Sequence, residues 1–246
     1  MINFIVNFLL SFNNLLGGQL GVTLIIIGIA SRVVFYPLYK KQLTHTKRIQ
    51  DLQPKINLLK KKFKDDKVKL AEAQTKLFQE EGINPAAGCL PLIVQIVIFA
   101  TLYNAIRQML TRGIDTSFLW LDLALPDTFK LAAVPFALPG IFILAASLSQ
   151  FVLSKMMLPS PVPVNPEDKP KEVEQKADFM QDMAEAQKSM IYIFPLMFIV
   201  LGYNFPAGLS IYWTATTVTA IYQQFKISGP GGLAPWLTKL GIRTQK

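Results

Sequence analysis

With 246 residues, 51% of them hydrophobic and only 17% charged, yet a net charge of +9 and a mean hydropathy of +0.34, the chain is not an ordinary soluble domain. Charge that needs water and apolar bulk that avoids it coexist only if they are segregated. They are: Met1–Ser31, Gly82–Ile106, Leu131–Ser154 and Ser189–Phe225 contain no Asp, Glu, Lys or Arg, and about 20 apolar residues in a helix cross a hydrocarbon core of about 30 Å.

In chain order, residues 1–18 carry Asn3, Asn7, Ser11 and Asn14 at helical spacing among Ile2, Phe4, Ile5, Phe8, Leu9, Phe12 and Leu15. The pattern predicts an apolar helix with one narrow polar stripe, lying in the membrane interface, or else the frayed start of the first span. No cationic region or small-residue cleavage site marks a cleavable signal. The first span, 19–40, begins near Gln19 or Leu20, passes Arg32 and stops at Lys40-Lys41. Residues 41–85 follow as a cytoplasmic helical hairpin. Ile49, Leu52, Ile56, Leu59 and Phe63 step by 3 and 4, Lys64 to Lys67 interrupt them, and Leu70, Ala73, Leu77 and Phe78 resume the seam. Pro54 bends the first arm or sits in its N-terminal turn. Lys55, Lys60, Lys61, Lys62, Lys64 and Lys69 crowd the remaining positions, a face that is either simply solvated or meets acidic headgroups, ribosomal RNA or a protein.

A second span, 88–110, a loop, 111–130, and a third span, 131–154, come next. The loop 155–188 opens with Pro159, Pro161 and Pro163 as a flexible linker and closes with a stretch, Val173 to Ala186, able to form a helix at the membrane surface. Asn204 to Gly208 is a turn signal that splits the last uncharged run into spans 189–204 and 206–225, before a basic tail, 226–246, broken at Gly229-Pro230-Gly231-Gly232. The apolar part of the fourth span, Met190 to Tyr203, extends only about 21 Å, so Gln187 and Lys188 snorkel or the bilayer thins.

Lys and Arg decide orientation, because basic short loops stay cytoplasmic. Twelve lie between Lys40 and Gly88, five between Lys155 and Lys188 and four after Phe225, against only Arg112 and Lys130 in the opposite loops. The N-terminus is therefore outside and the C-terminus inside, as five spans require. Arg107 sits near the end of its span and can snorkel. Arg32 is about thirteen residues into its helix, where a guanidinium costs about 2.5–3.5 kcal/mol on insertion scales and cannot escape by losing its proton. No Asp or Glu in any span pairs with it. It is either an inner-interface anchor or a charge solvated by water in a cavity open toward the cytoplasm. Ser31, Gln95, Ser147, Tyr212 and Thr216 are candidate lining, although a Ser or Thr in a span often bonds its own helix.

The chain offers little for catalysis. His45 and Cys89 have no chemical partner at a recognisable spacing, Ser210 has no accompanying His, and one cysteine cannot form a disulfide within the chain. No enzyme, metal or cofactor is expected.

Several stretches nevertheless resemble a known family. Ser31-Arg32-Val33-Val34-Phe35-Tyr36-Pro37-Leu38, then Leu52-Gln53-Pro54-Lys55, then Glu80-Glu81-Gly82-Ile83-Asn84-Pro85-Ala86-Ala87-Gly88-Cys89-Leu90-Pro91, and finally Phe205-Pro206-Ala207-Gly208-Leu209-Ser210-Ile211-Tyr212-Trp213 resemble, in order, the YidC/Oxa/Alb membrane protein insertases. The resemblance implies an all-α polytopic membrane protein of the bacterial plasma membrane. Its five transmembrane helices surround a hydrophilic groove closed outward and open to cytoplasm and lipid, with an N-terminal interfacial helix and a cytoplasmic hairpin. It maps the groove arginine onto Arg32 and a substrate-contacting aromatic pair onto Tyr212 and Trp213, with Gln95 and Ser147 lining the groove. Implied partners are nascent membrane proteins and the lipid bilayer, with the ribosome, the signal recognition particle receptor and the Sec translocon as further candidates, and no DNA or nucleotide.

By this resemblance the chain is expected to be a minimal bacterial version without the large extracytoplasmic domain seen in Gram-negative members, and it departs from some members in having Gly28 where they carry a hydroxyl one turn before the arginine, and in a short basic tail. A lipid scramblase or an anion-binding transporter could use the same groove, but no inverted repeat favours the transporter.

Overall fold

The computed structural model describes residues 2–63, 66–83, 90–111, 114–131, 135–158 and 179–241, most of them helical. Helix α1 (Ile2–Leu15) is followed by Gly17 and Gly18, both at the positive φ that only glycine adopts without strain. There the chain turns by 113° into α2 (Leu20–Val34). Helix α1 therefore does not extend the first span but lies across the end of the bundle. Val6, Leu9 and Asn13 face inward while Asn7, Ser11 and Asn14 are exposed. The Thr23 hydroxyl donates to Asn13 Oδ1 at 2.9 Å across the turn.

Three boundaries differ from the sequence-based expectation. The first helix does not run straight to Lys40-Lys41. It breaks at Phe35, because Pro37 has no N–H to donate to the Val33 carbonyl, and resumes as α3 (Tyr36–Asp51), which carries both lysines inside it. The third helix, α7 (Ile141–Met157), starts ten residues later than Leu131. Pro139 and Gly140 oppose a helix there, and Ala137–Pro139 (β4) pairs antiparallel with Thr128–Lys130 (β3) instead. The fourth, α8 (Phe179–Gly202), starts ten residues before 189, so the whole helix is not short, although its apolar part, Ile191–Gly202, spans only about 18 Å.

The cytoplasmic arm is a hairpin of α4 (Gln53–Lys62) and α5 (Lys67–Glu80). Pro54 lies in the first turn of α4, directly after a break at Leu52, where its missing donor is harmless. Leu52, Ile56, Phe78 and Ile83 are buried between the arms with Ile49 and Leu77 beside them, which is the seam that the 3–4 spacing predicts. Leu59, Phe63 and Leu70 stay partly exposed outside it. Asp66 caps α5 by accepting the Lys69 N–H at 3.0 Å, and its carboxylate pairs with Lys69 Nζ at 2.9 Å. Those hydrogen bonds hold the Asp66 pKa below its ordinary value.

Helix α9 (Ala207–Ser228) is the axis of the bundle: α2 and α7 pack along it, α3 meets its far end, and α8 packs on α7. Gly28 makes the α2–α9 approach close, since a Cβ there would stand 3.1 Å from the Tyr212 carbonyl oxygen and from Ala215 Cβ. Helix α6 (Leu90–Thr111) packs on α1 and meets α9 more sparingly. One apolar core joins Val6, Leu9, Leu20, Leu24, Leu102, Ala105, Ile106, Met109, Leu123, Leu209 and Ile211. All of these lie near one end of the bundle, the loop end, where Ser117–Phe118 (β1) also pairs with Leu121–Asp122 (β2). The sequence did not announce these short strands, nor the 3-10 turn Gly231–Leu233 in the tail. Among the described residues no single helix is long and apolar enough to cross a membrane.

Candidate functional site

Arg32 lies in the last turn of α2, at the opposite end of that helix from Leu20 and Leu24 in the core. The Phe35 break lets α3 bring Tyr39 back beneath it, so that the guanidinium carbon stands 4.1 Å from the Tyr39 ring centroid, a favourable cation–π placement. No carboxylate among the described residues pairs with Arg32, and its Nε is buried without a protein partner. Tyr212, 2% exposed, fills the adjoining space from α9 near Ser31. Ser31 donates to the Gly28 carbonyl at 2.8 Å. Thr216 also donates to its own helix, at the Tyr212 carbonyl, so both hydroxyls take the local bonding habit open to Ser and Thr in helices.

Three residues on α3 and α9 escaped the sequence reading, two of them touching Arg32. Gln223, eleven residues and so three helical turns beyond Tyr212, donates through Nε2 to the Arg32 carbonyl at 3.1 Å and leaves its Oε1 buried and unpartnered. Gln224 is fully buried with neither amide atom partnered among the described residues. Tyr39 is the third. The 3.6 period from Tyr212 marks Gln223 as sharing its face, but a Gln near a helix end carries no other signal.

The remaining expected residues are not gathered around Arg32. Trp213, one position and about 100° on from Tyr212, turns toward α6, α7 and α8. Its Nε1 donates to Gln150 Oε1 at 3.2 Å and its ring packs against Phe198 at 4.4 Å and Phe99 at 5.8 Å. Ser147 is buried and donates to the Pro195 carbonyl at 2.8 Å, which ties α7 to α8. Gln95 is partly exposed on α6. Among the basic hairpin residues, Lys55 pairs with Glu81 across the arms, and Lys62 reaches over the Phe63 ring. Lys60 has an interaction of its own. The Lys61 side chain and all of Lys64 lie outside the described residues. Beside the hairpin, Lys40, Lys41, Thr44, His45 and Arg48 line a cavity of about 330 Å³.

Unsatisfied buried polar atoms are rare because each costs desolvation free energy. Four of them, Arg32 Nε, Gln223 Oε1 and the two amide atoms of Gln224, lie near the hairpin-side ends of α2 and α9. A helical bundle that is apolar and packed at one end and holds a buried, unpaired guanidinium nitrogen among such groups at the other has the make-up of a polytopic membrane protein. The chain matches the 60Kd inner membrane protein family over residues 11–230. It is 33% identical over 224 residues to the membrane protein insertase YidC of Fusobacterium nucleatum, covering 91% of this chain and 93% of that one. It is 35% identical over 221 residues to the insertase MisCA of Bacillus subtilis, covering 88% and 73%. With the insertase YidC 1 of Listeria monocytogenes it shares 32% over 227 residues, covering 89% and 67%. The chain therefore belongs to the 60Kd inner membrane protein family, the one to which its motifs pointed, and its place is the cell membrane.

Proposed function

We propose that the chain is a membrane protein insertase whose clients are nascent membrane proteins, and that Arg32 is the group that receives a client's polar segment. The relatives are named insertases, and the observation that carries the residue assignment is a guanidinium with no carboxylate partner among the described residues, set over the Tyr39 ring and near Tyr212, with Gln223 holding the Arg32 carbonyl. In a groove of intermediate dielectric, a client carboxylate about 4 Å from Arg32 gains about 4 kcal/mol in Coulomb terms before desolvation is set against it. That guides a segment without trapping it. The client's apolar segment meanwhile leaves into lipid, driven by burial at about 25 cal/mol per Å². The N-terminus and the loop end face outward and the C-terminus faces the cytoplasm, as the distribution of Lys and Arg favours. The basic hairpin then stands where a client arrives, within reach of a ribosome, a targeting receptor or a translocon. The work is transfer between water and lipid and not bond chemistry.

The test is insertion into proteoliposomes of two clients that differ only in an acidic or a neutral outer segment. Arg32→Glu should lower insertion of the acidic client about tenfold and of the neutral one much less, and Arg32→Lys should fall between Arg32→Glu and the parent. Equal effects on both clients, or none, would overturn the role of the charge.

A further inference from the structure

The two-residue turn between β1 and β2 is made by Leu119 and Trp120. A two-residue turn with φ > 0 at its first position alone is ordinarily filled by Gly there. Here Leu119 takes the left-handed conformation at φ 57°, the one residue other than glycine to do so among those described. Nothing in the fold repays that strain, since Leu119 is 70% and Trp120 69% exposed, with the Trp120 ring merely stacked beside Phe142 at 6.3 Å. Strain held at an exposed site commonly has a functional reason. Around the turn Leu125, Phe129, Phe136 and Ile141 are exposed too. Together they make an apolar, aromatic rim about the start of α7.

The base of this hairpin is fixed firmly. The Phe118 ring lies flush on Gly21, where a Cβ would come within 2.3 Å of it, and Leu123 is fully buried in the core. The carbonyls of Leu123 and Leu125 accept the N–H groups of Gly208 and Ala207 at the start of α9, at 3.1 and 2.8 Å. The loop is thus a plug over the apolar end of the bundle, with its apolar tip turned outward. Helix α7, beginning under Trp120, spans about 25 Å, less than the about 30 Å of a hydrocarbon core, which brings the rim down to the level of the acyl boundary. Leu and Trp displayed together there have the chemistry of interfacial anchors.

We propose that the Leu119-Trp120 tip and its aromatic rim form a lipid-binding surface that seats in the headgroup–acyl boundary of the outer leaflet and holds the plug in place while a client is drawn through the groove. The choice of leaflet rests on the outward orientation of the loop end, and the test separates the two. In a Cys89→Ser background, a fluorophore on Leu119→Cys in phosphatidylethanolamine–phosphatidylglycerol liposomes should be quenched at least about twofold more by lipids carrying a shallow nitroxide than by soluble iodide. A fluorophore on Asp115→Cys should show the reverse order. Iodide quenching of the Leu119 label without lipid quenching overturns the anchor, as does a crosslink from position 119 to a second protein copy. Labelling of Asp115→Cys in intact cells by an impermeant maleimide reads orientation alone, and its failure moves the anchor to the other leaflet. The paired change Leu119→Gly and Trp120→Asn installs the preferred turn residues. It should leave thermal stability equal or higher while lowering insertion about threefold, and unchanged insertion would overturn the plug-holding role.

Discussion

The loop end and the hairpin end of the same bundle are built on opposite rules. At the loop end no buried side-chain polar atom among the described residues lacks a partner: the buried Asp127 accepts the N–H groups of Phe142 and Ile143 at 2.7 and 3.1 Å, and Asn13 takes the Thr23 hydroxyl. At the hairpin end Arg32, Gln223 and Gln224 keep unanswered atoms in buried positions. The difference marks the loop end as built for stability and supports the proposal that the Arg32 end is the one that receives the client.

Substitutions should reproduce that asymmetry as opposite signs in stability. The largest effect is expected for Asp127→Ala, which leaves the first turn of α7 without its remote cap and should cost about 3 kcal/mol, read as a lowered unfolding midpoint in detergent. Loss of less than a third of that would mean that water caps α7 as well as the carboxylate does. Gly28→Val comes next. Its side chain must push against the Tyr212 carbonyl and Ala215 and should cost about 2 kcal/mol, with disulfide crosslinking between cysteines placed on α2 and α9 becoming less efficient. A neutral result would show that the two helices separate easily. The sign should reverse for Gln224→Leu, because removing a buried amide without partners is predicted to stabilise the protein by about 1 kcal/mol while reducing insertion. Destabilisation instead would place an unseen partner on Gln224 and weaken the contrast.

The smallest effect lies in the hairpin. The Asp66 pKa is held below its ordinary value of 3.8 by its bonds to Lys69, so the stability it contributes is fully present above that value and is lost as pH falls through the lowered one. Amide-exchange protection factors, taken against the intrinsic rate at each pH, should fall in the first turn of α5 over that acid range, and in Asp66→Asn they should not change with pH there.

Much of the architecture was legible because it depends on local pattern. The hairpin seam follows from apolar residues at 3 and 4 spacing, α1 from its polar stripe, and the α8–α9 turn from Asn204 to Gly208. The run 131–140 misled for an equally physical reason: lack of charge permits a span but does not make a helix, and Pro139 and Gly140 decide against one. Arg32 stood out from sequence because an unpaired cation in an apolar run is costly wherever the run is placed. Tyr39 and Gln223 did not, since their role depends on a break at Phe35 and on a helix nearly two hundred residues away.

Sequence by itself thus determined that this is a helical membrane protein, roughly where its apolar helices lie, and that one arginine is out of place, because hydropathy, period and charge act over a few residues and need no partners. The sidedness of polar satisfaction was decided only in three dimensions. Asp127 caps a helix fifteen residues on, Tyr212 and Trp213 part company around α9, Ser147 serves packing, and Leu119-Trp120 is turned outward on a fixed base. Each depends on which distant groups come to stand beside it, and that is fixed by packing and not by spacing.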